Sequence, residues 1–118
     1  MANILILDDE CLSRTRLCHA LSLGQQHNLI PADNPAACEE HLGNVGSTID
    51  LLILDASTKA LAPEFVDLFS DAWPRAKTLV LSHLPQGEYR RICSVLRKPF
   101  TDKEFVETVD RLLVNSKP

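Results

Sequence analysis

An apolar run, ILIL at residues 4–7, ends abruptly in Asp8, Asp9 and Glu10. Like charges in a row repel one another, and partial burial raises the cost. The stretch is therefore either a solvated loop or a place that concentrates negative charge for a hard cation such as Mg2+. The same change from apolar to polar recurs along the chain: LLIL at 51–54 runs into Asp55, TLVLS at 78–82 closes on Ser82, and CSVLR at 93–97 is followed by Lys98-Pro99. As a set these residues suit phosphoryl transfer. Asp55 can act as a nucleophile and form an acyl phosphate. Asp8 and Asp9 can hold Mg2+, directly or through water, while Lys98 and the Ser82 hydroxyl bind the remaining oxygens of the transferring group. Each residue taken singly reads as an ordinary polar group at a strand end; the joint pattern is what points to a site.

The elements that must bring these residues together can be read from hydropathy. The runs at 4–7, 51–54 and 78–82 are continuous rather than alternating, as strands of a parallel sheet covered on both faces must be. Residues 28–32 (NLIPA) and 93–97 (CSVLR) are weaker strand candidates. Between them the spacing predicts helices. One covers 10–23, with Leu12, Leu17, Cys18 and Leu21 and a stop at Gly24. A second covers 35–42, with Asn34 as N-cap and Pro35 at the first helical position. A third covers 63–72, with Phe65, Val66 and Phe69 before Trp73-Pro74 breaks the run. The last helix begins at a capping-box signature, Thr101 and Glu104, flanked by Phe100 and Phe105 as a hydrophobic staple. Its buried stripe is Phe105, Val109, Leu112 and Leu113. This β-α alternation predicts a doubly wound α/β domain with a five-stranded, flavodoxin-like parallel sheet in the order 2-1-3-4-5. Ligands of such sheets bind outside the carboxyl ends of the strands, near the switch between the first and third, where Asp8, Asp9 and Asp55 fall.

Composition narrows the function classes. At 118 residues the chain has the length of one domain, and 45% hydrophobic with 24% charged residues is an ordinary globular balance. A net charge of -4 argues against direct nucleic-acid binding, and no stretch approaches a membrane span. The start MANILILDDE lacks a basic n-region, so a cytoplasmic location is expected. Cys11, Cys18, Cys38 and Cys93 show no CxxC spacing and are read as small buried hydrophobes in a reducing compartment. These and His19, His27, His41 and His83 share no recognised metal-ligand spacing. The tail VNSKP reads as a frayed terminus or the start of a linker.

Asp8-Asp9, Asp55, Ser82 and Lys98-Pro99-Phe100, in this order and each at a strand end, resemble the receiver domain of bacterial two-component response regulators. The resemblance spans nearly the whole chain, as a single receiver domain over 1–118. It implies that Asp55 accepts a phosphoryl group from a histidine kinase, a phosphotransfer protein or a small phosphodonor. It further implies that Asp8, Asp9, Asp55 and the backbone carbonyl of Ser57 bind Mg2+, that Ser82 contacts and reports the phosphoryl group, and that Lys98 pairs with the acids and then with the phosphate. The output it implies is a switched contact with a downstream protein or a fused output domain. No catalysis is expected beyond the chain's own phosphotransfer and dephosphorylation.

Four features depart from the family pattern. Lys59 stands where a methionine-proline pair is usual at 58–59; it either points to solvent or pairs with Asp55 or Asp9 and partly replaces the metal. His83 replaces a small residue after Ser82, and either narrows access to the phosphoryl site or swings outward. Val95, three before Lys98, replaces the tyrosine or phenylalanine of the usual aromatic switch, so output needs another bistable element. The segment HLPQGEYRRICSVLR between Ser82 and Lys98 is short and carries Pro85 and Gly87, which predicts a short, distorted or absent fourth helix over about 86–92. That weakens the usual dimer face and leaves open a weak homodimer or a different contact through Tyr89, Arg90 and Arg91.

A competing reading is a receiver-like interaction module that works without phosphorylation. A small phosphohydrolase of the haloacid-dehalogenase type fits less well, since position 57, two after the nucleophile, is serine rather than an acid. A flavin-binding flavodoxin fits less well again, since a phosphate loop after the first strand wants hydroxyls and amides instead of carboxylates.

Overall fold

The computed structural model describes residues 2–24, 26–34, 36–38, 40, 49–57, 69, 71, 73–83 and 94–115. Five strands, β1 (Asn3–Leu7), β2 (Asn28–Ala32), β3 (Leu51–Asp55), β4 (Lys77–Ser82) and β5 (Ser94–Arg97), form one parallel sheet in the order β2-β1-β3-β4-β5. The two long helices of the described residues are α1 (Cys11–Ser22) and α2 (Asp102–Asn115). The expected topology is thus observed. Pro31 sits in β2, an edge strand, where a missing ladder donor is tolerated.

The continuous apolar runs are explained by two cores, one on each face of the sheet. Successive side chains of a strand point to opposite faces. Ile4 and Ile6 of β1 join Leu51, Ile53, Leu79 and Leu81 beneath α1 and α2, where Leu17, Ala20, Leu21, Phe105, Val109 and Leu112 complete the cluster. Leu5 and Leu7 face the other way, with Ile30, Leu52 and Leu54, against Cys38, Phe69 and Trp73. Phe69 and Trp73 stack with centroids 5.9 Å apart. Strands β1, β3 and β4 therefore have no face left for a polar side chain except at their ends, and every polar group the site needs is placed there.

The helix signals behave as their chemistry dictates, with two corrections. Glu104 N donates to Thr101 Oγ1 at 3.1 Å and Thr101 N to Glu104 Oε1 at 3.2 Å, closing the capping box. Phe100 and Phe105 stack at 5.7 Å as the staple. Asn34 acts as an N-cap, its Oδ1 accepting the Ala37 amide at 2.8 Å. Helix α1, however, ends at Leu23, whose φ of -77° is right-handed, without a left-handed cap at Gly24. Its apolar residues are also not all inward: Leu12 is 79% exposed, and Cys11, expected to be buried, lies at the surface because it starts the helix beyond the edge of the core. Cys38 is buried as expected. Residues 41–48, 58–68 and 84–93 lie outside the described residues, and with them the readings made for Lys59, the fourth helix, Tyr89, Arg90 and Arg91; the same holds for most of the helices expected at 35–42 and 63–72.

The amino end of the sheet is tied by Asp50. Its Oδ2 accepts the Asn3 amide at 2.8 Å, its amide donates to Asn3 O at 2.9 Å, and its carbonyl accepts the Lys77 amide at 3.0 Å. The starts of β1, β3 and β4 are thereby aligned, which sets their carboxyl ends level with one another.

Candidate functional site

At the carboxyl end the ladder continues one bond beyond each strand before the chain turns away. Asp8 N donates to Ala32 O at 3.0 Å, Ala56 N to Leu81 O at 2.9 Å, and Lys98 N to Ser82 O at 2.8 Å. Both aspartates then bend the chain by the same device, a carboxylate oxygen accepting the amide two residues ahead. Asp8 Oδ1 takes the Glu10 amide at 2.9 Å and Asp55 Oδ1 the Ser57 amide at 2.8 Å. After Glu10 the first bond of α1 forms, from Arg14 N to Glu10 O at 2.9 Å. The Arg14 guanidinium returns to Asp8 O at 2.8 Å.

Asp55 and Asp8 are both buried, at 3% and 1% exposure. Lys98 Nζ lies 2.8 Å from each oxygen of Asp55, 43 residues earlier, and 3.4 Å from Ser57 Oγ. The ammonium thus compensates a carboxylate that burial would otherwise penalise. The Lys98-Pro99 peptide bond is cis. Ser82 is buried at the end of β4, and its carbonyl anchors Lys98. His83, next along, is exposed.

Asp8 has no such cation to itself among the described residues. Its Oδ2 is buried and has no hydrogen-bond partner among the described residues. Burial pushes its carboxyl above the usual range and the charge of Asp55 adds to this, opposed by the Ser13 hydroxyl, the Glu10 amide and the charge of Lys98. An unpartnered oxygen of this kind, beside a second buried carboxylate, is what a hard divalent cation would satisfy. Asp9 is exposed, and among the described residues no three His, Cys, Asp or Glu side chains surround a single point. Mg2+ does not require three, because it is commonly held by one or two carboxylates with waters and phosphate oxygens. The donor set therefore fits Mg2+, with Asp8 and Asp55 as its protein carboxylates.

A cleft of about 400 Å³ opens beside this pocket, lined by Glu10, Leu12, Ser13, Arg16, His83 and Lys98 among others. Of the residues singled out from sequence, Asp8, Asp55, Ser57 and Lys98 are brought together, Ser82 adjoins them through the Lys98 amide, and Asp9 stands at the exposed edge. Sequence reading missed Ser13 and Arg14. Both lie within one turn of the start of α1, and that placement beside Asp8 is the signal that could have found them.

No family model and no curated protein sequence matches the chain. Solved structures do, and several of them are response regulators or receiver domains. A two-component transcriptional regulator AraC from Clostridium phytofermentans ISDg is 20% identical with a TM-score of 0.81, over 97% of this chain and 93% of that one. The receiver domain of the hybrid histidine kinase CckA is 22% identical at a TM-score of 0.79, over 95% and 99%. The chemotaxis response regulator CheY4 of Vibrio cholerae is 21% identical at 0.79, over 96% and 99%. At these identities the likeness is one of fold: this chain has the flavodoxin-like fold of receiver domains. No helix among the described residues is long and apolar enough to cross a membrane.

Proposed function

We propose that this chain is a signalling receiver that accepts a phosphoryl group on Asp55 from a histidine kinase or a small phosphodonor and thereby switches a protein contact. The observation that carries the reading is the double contact of Lys98 Nζ with both Asp55 oxygens at 2.8 Å, next to Asp8 Oδ2, which has no partner among the described residues. The ends of β3, β5 and β1 bring a nucleophile, its counter-charge and a second acidic oxygen into one pocket.

In this reading Asp55 attacks phosphorus through Oδ2, the oxygen not also engaged by the Ser57 amide. The P–O or P–N bond of the donor breaks and its leaving group departs with the electron pair, giving an acyl phosphate on Asp55. Lys98 holds the carboxylate in place and then pairs with a phosphoryl oxygen as negative charge moves outward. The Ser82 hydroxyl, at the neighbouring strand end, is the group that registers the new charge. Asp8 and Asp55 would hold Mg2+, with Asp9 acting through water and the Ser57 carbonyl as a further oxygen; bound there, the cation would neutralise charge on the transferring group. The chain catalyses only its own phosphorylation and dephosphorylation. Partners are a histidine kinase or phosphotransfer protein and a downstream protein or output domain.

The test is intact mass after incubation with Mg2+ and acetyl phosphate, with Asp55→Asn run beside it. One added phosphoryl group, absent in the variant, supports the reading. No addition with acetyl phosphate or with phosphoramidate would replace it by an interaction module independent of phosphorylation, for which Lys59 and His83 are the first residues to revert.

A further inference from the structure

Among the described residues, Arg16 of α1 hydrogen-bonds the segment that carries Lys98. Arg16 Nε donates to Asp102 Oδ1 at 2.9 Å and Arg16 Nη2 donates to Phe100 O at 3.4 Å. These two acceptors flank Thr101, immediately after Lys98-Pro99. The segment's other hydrogen bonds run elsewhere, with Lys98 N to Ser82 O reaching β4, Lys98 Nζ reaching Asp55 and the capping box lying within α2 and its own entry, while Phe100 adds apolar packing on the cluster that contains Leu17, Ala20 and Leu21 of α1. Arg16 also lines the cleft together with Glu10, Ser13 and Lys98. It therefore spans the two walls of the site. One is the wall that follows β1, with Asp8 and its supports; the other follows β5 and holds the ammonium.

We infer that Arg16 is a positioning residue for Lys98, setting the ammonium against Asp55 by holding the Lys98–Asp102 segment to α1. The inference rests on the phosphorylation reading above for its kinetic test, though the contact itself does not. The guanidinium suits the task because its planar fork presents two donors in fixed geometry. A lysine at position 16 can keep the charge near Asp102 but cannot serve both acceptors as a rigid pair. Both partners of the ion pair are more than half exposed, so it contributes little to stability. The effect belongs to geometry at the site, where a displacement of about 1 Å can cost up to about a hundredfold in rate.

The experiment compares Arg16→Gln, Arg16→Lys and the control Lys103→Gln, whose ion pair with Glu107 at 4.0 Å lies within α2. Maximal phosphorylation rate and half-saturating concentration are measured with acetyl phosphate and Mg2+. Arg16→Gln is expected to lower the maximal rate about tenfold with the half-saturating concentration and the melting temperature little changed. Arg16→Lys should be intermediate and Lys103→Gln should match the parent. Equal rates for Arg16→Gln and the parent would overturn the inference while leaving Asp55 phosphorylation standing. If the parent itself gains no phosphoryl group, the phosphorylation reading fails, and the inference is decided on the Lys98 ammonium signal in nitrogen-15 NMR. That signal moves in Arg16→Gln but not in Lys103→Gln if Arg16 positions Lys98; an unmoved signal overturns the inference.

Discussion

Asp8 and Asp55 each turn one carboxylate oxygen onto the amide two residues ahead and differ in what meets the other. Each Oδ1 accepts the amide two residues ahead, from Glu10 at 2.9 Å and from Ser57 at 2.8 Å. Asp55 Oδ2 then meets Lys98 at 2.8 Å, whereas Asp8 Oδ2 meets no partner among the described residues. The pocket is thus compensated on one side and frustrated on the other, and the frustrated side is the one a cation would relieve.

The first expectation concerns Asp8→Asn in the absence of divalent ions. The Asp8 carboxyl is raised above its ordinary 3.8, chiefly by burial and then by Asp55. The folded protein therefore binds this proton more tightly than the unfolded chain. Stability falls as pH rises from 3.8 through the raised folded value, and the whole penalty is present above that window. Asparagine keeps the oxygen that accepts the Glu10 amide and removes the charge. Urea unfolding should show Asp8→Asn more stable than the parent at pH 7, with the advantage shrinking toward zero below the window.

Mg2+ should reverse that order. A ligand that binds only the folded state stabilises it by about 2.7 kcal/mol at a hundred times its dissociation constant. The parent melting temperature should climb with Mg2+, and Asp8→Asn and Asp55→Asn should each flatten the response. Asp9→Asn, at an exposed position, should weaken it less. A parent whose melting temperature ignores Mg2+ would remove the metal from the proposed mechanism.

Lys98→Ala takes the counter-charge from a carboxylate whose side chain is only 4% exposed. Stranding a buried acceptor costs about 1–3 kcal/mol, and more when it is charged. Asp55→Asn in the same chain leaves no charge to strand, so the double variant should recover most of the loss, a coupling that chemical denaturation of the four proteins would measure. Phosphorylation should be lost in all three variants.

Asp50→Ala makes the opposite separation. It removes the acceptor of the Asn3 amide at the amino end of the sheet, and a charge-assisted bond to backbone is worth about 1.5–3 kcal/mol. Stability should fall by roughly that amount, while the phosphorylation rate at a temperature where the variant is folded should match the parent.

The site was legible in sequence because buried parallel strands exclude polar side chains along their length. Asp8, Asp55, Ser82 and Lys98 each ended an apolar run, and such an ending has one place to go in a doubly wound sheet. The capping box at Thr101 and Glu104 was legible because its partners are local. What escaped notice was set by tertiary proximity between surface groups. Arg16 and Asp102 are 86 residues apart, and neither interrupts any hydrophobic pattern. Asp50 reads as an ordinary loop acid until its register with Asn3 is seen. Leu12 shows the converse: an apolar residue at helical spacing, it lies 79% exposed at the rim of the cleft, since α1 begins before it has reached the core.

The sheet order also fixes when the pocket can come into being during synthesis. β1 pairs with β3 directly, so Asp8 and Asp55 are drawn together as soon as those two strands have left the ribosome. Lys98 emerges 43 residues after Asp55. Over that interval the nascent chain carries two crowded carboxylates without the ammonium that Asp55 meets in the folded protein. Cotranslational folding of this domain should therefore pass through a half-built sheet whose paired first strands carry charges that its last strand is needed to compensate.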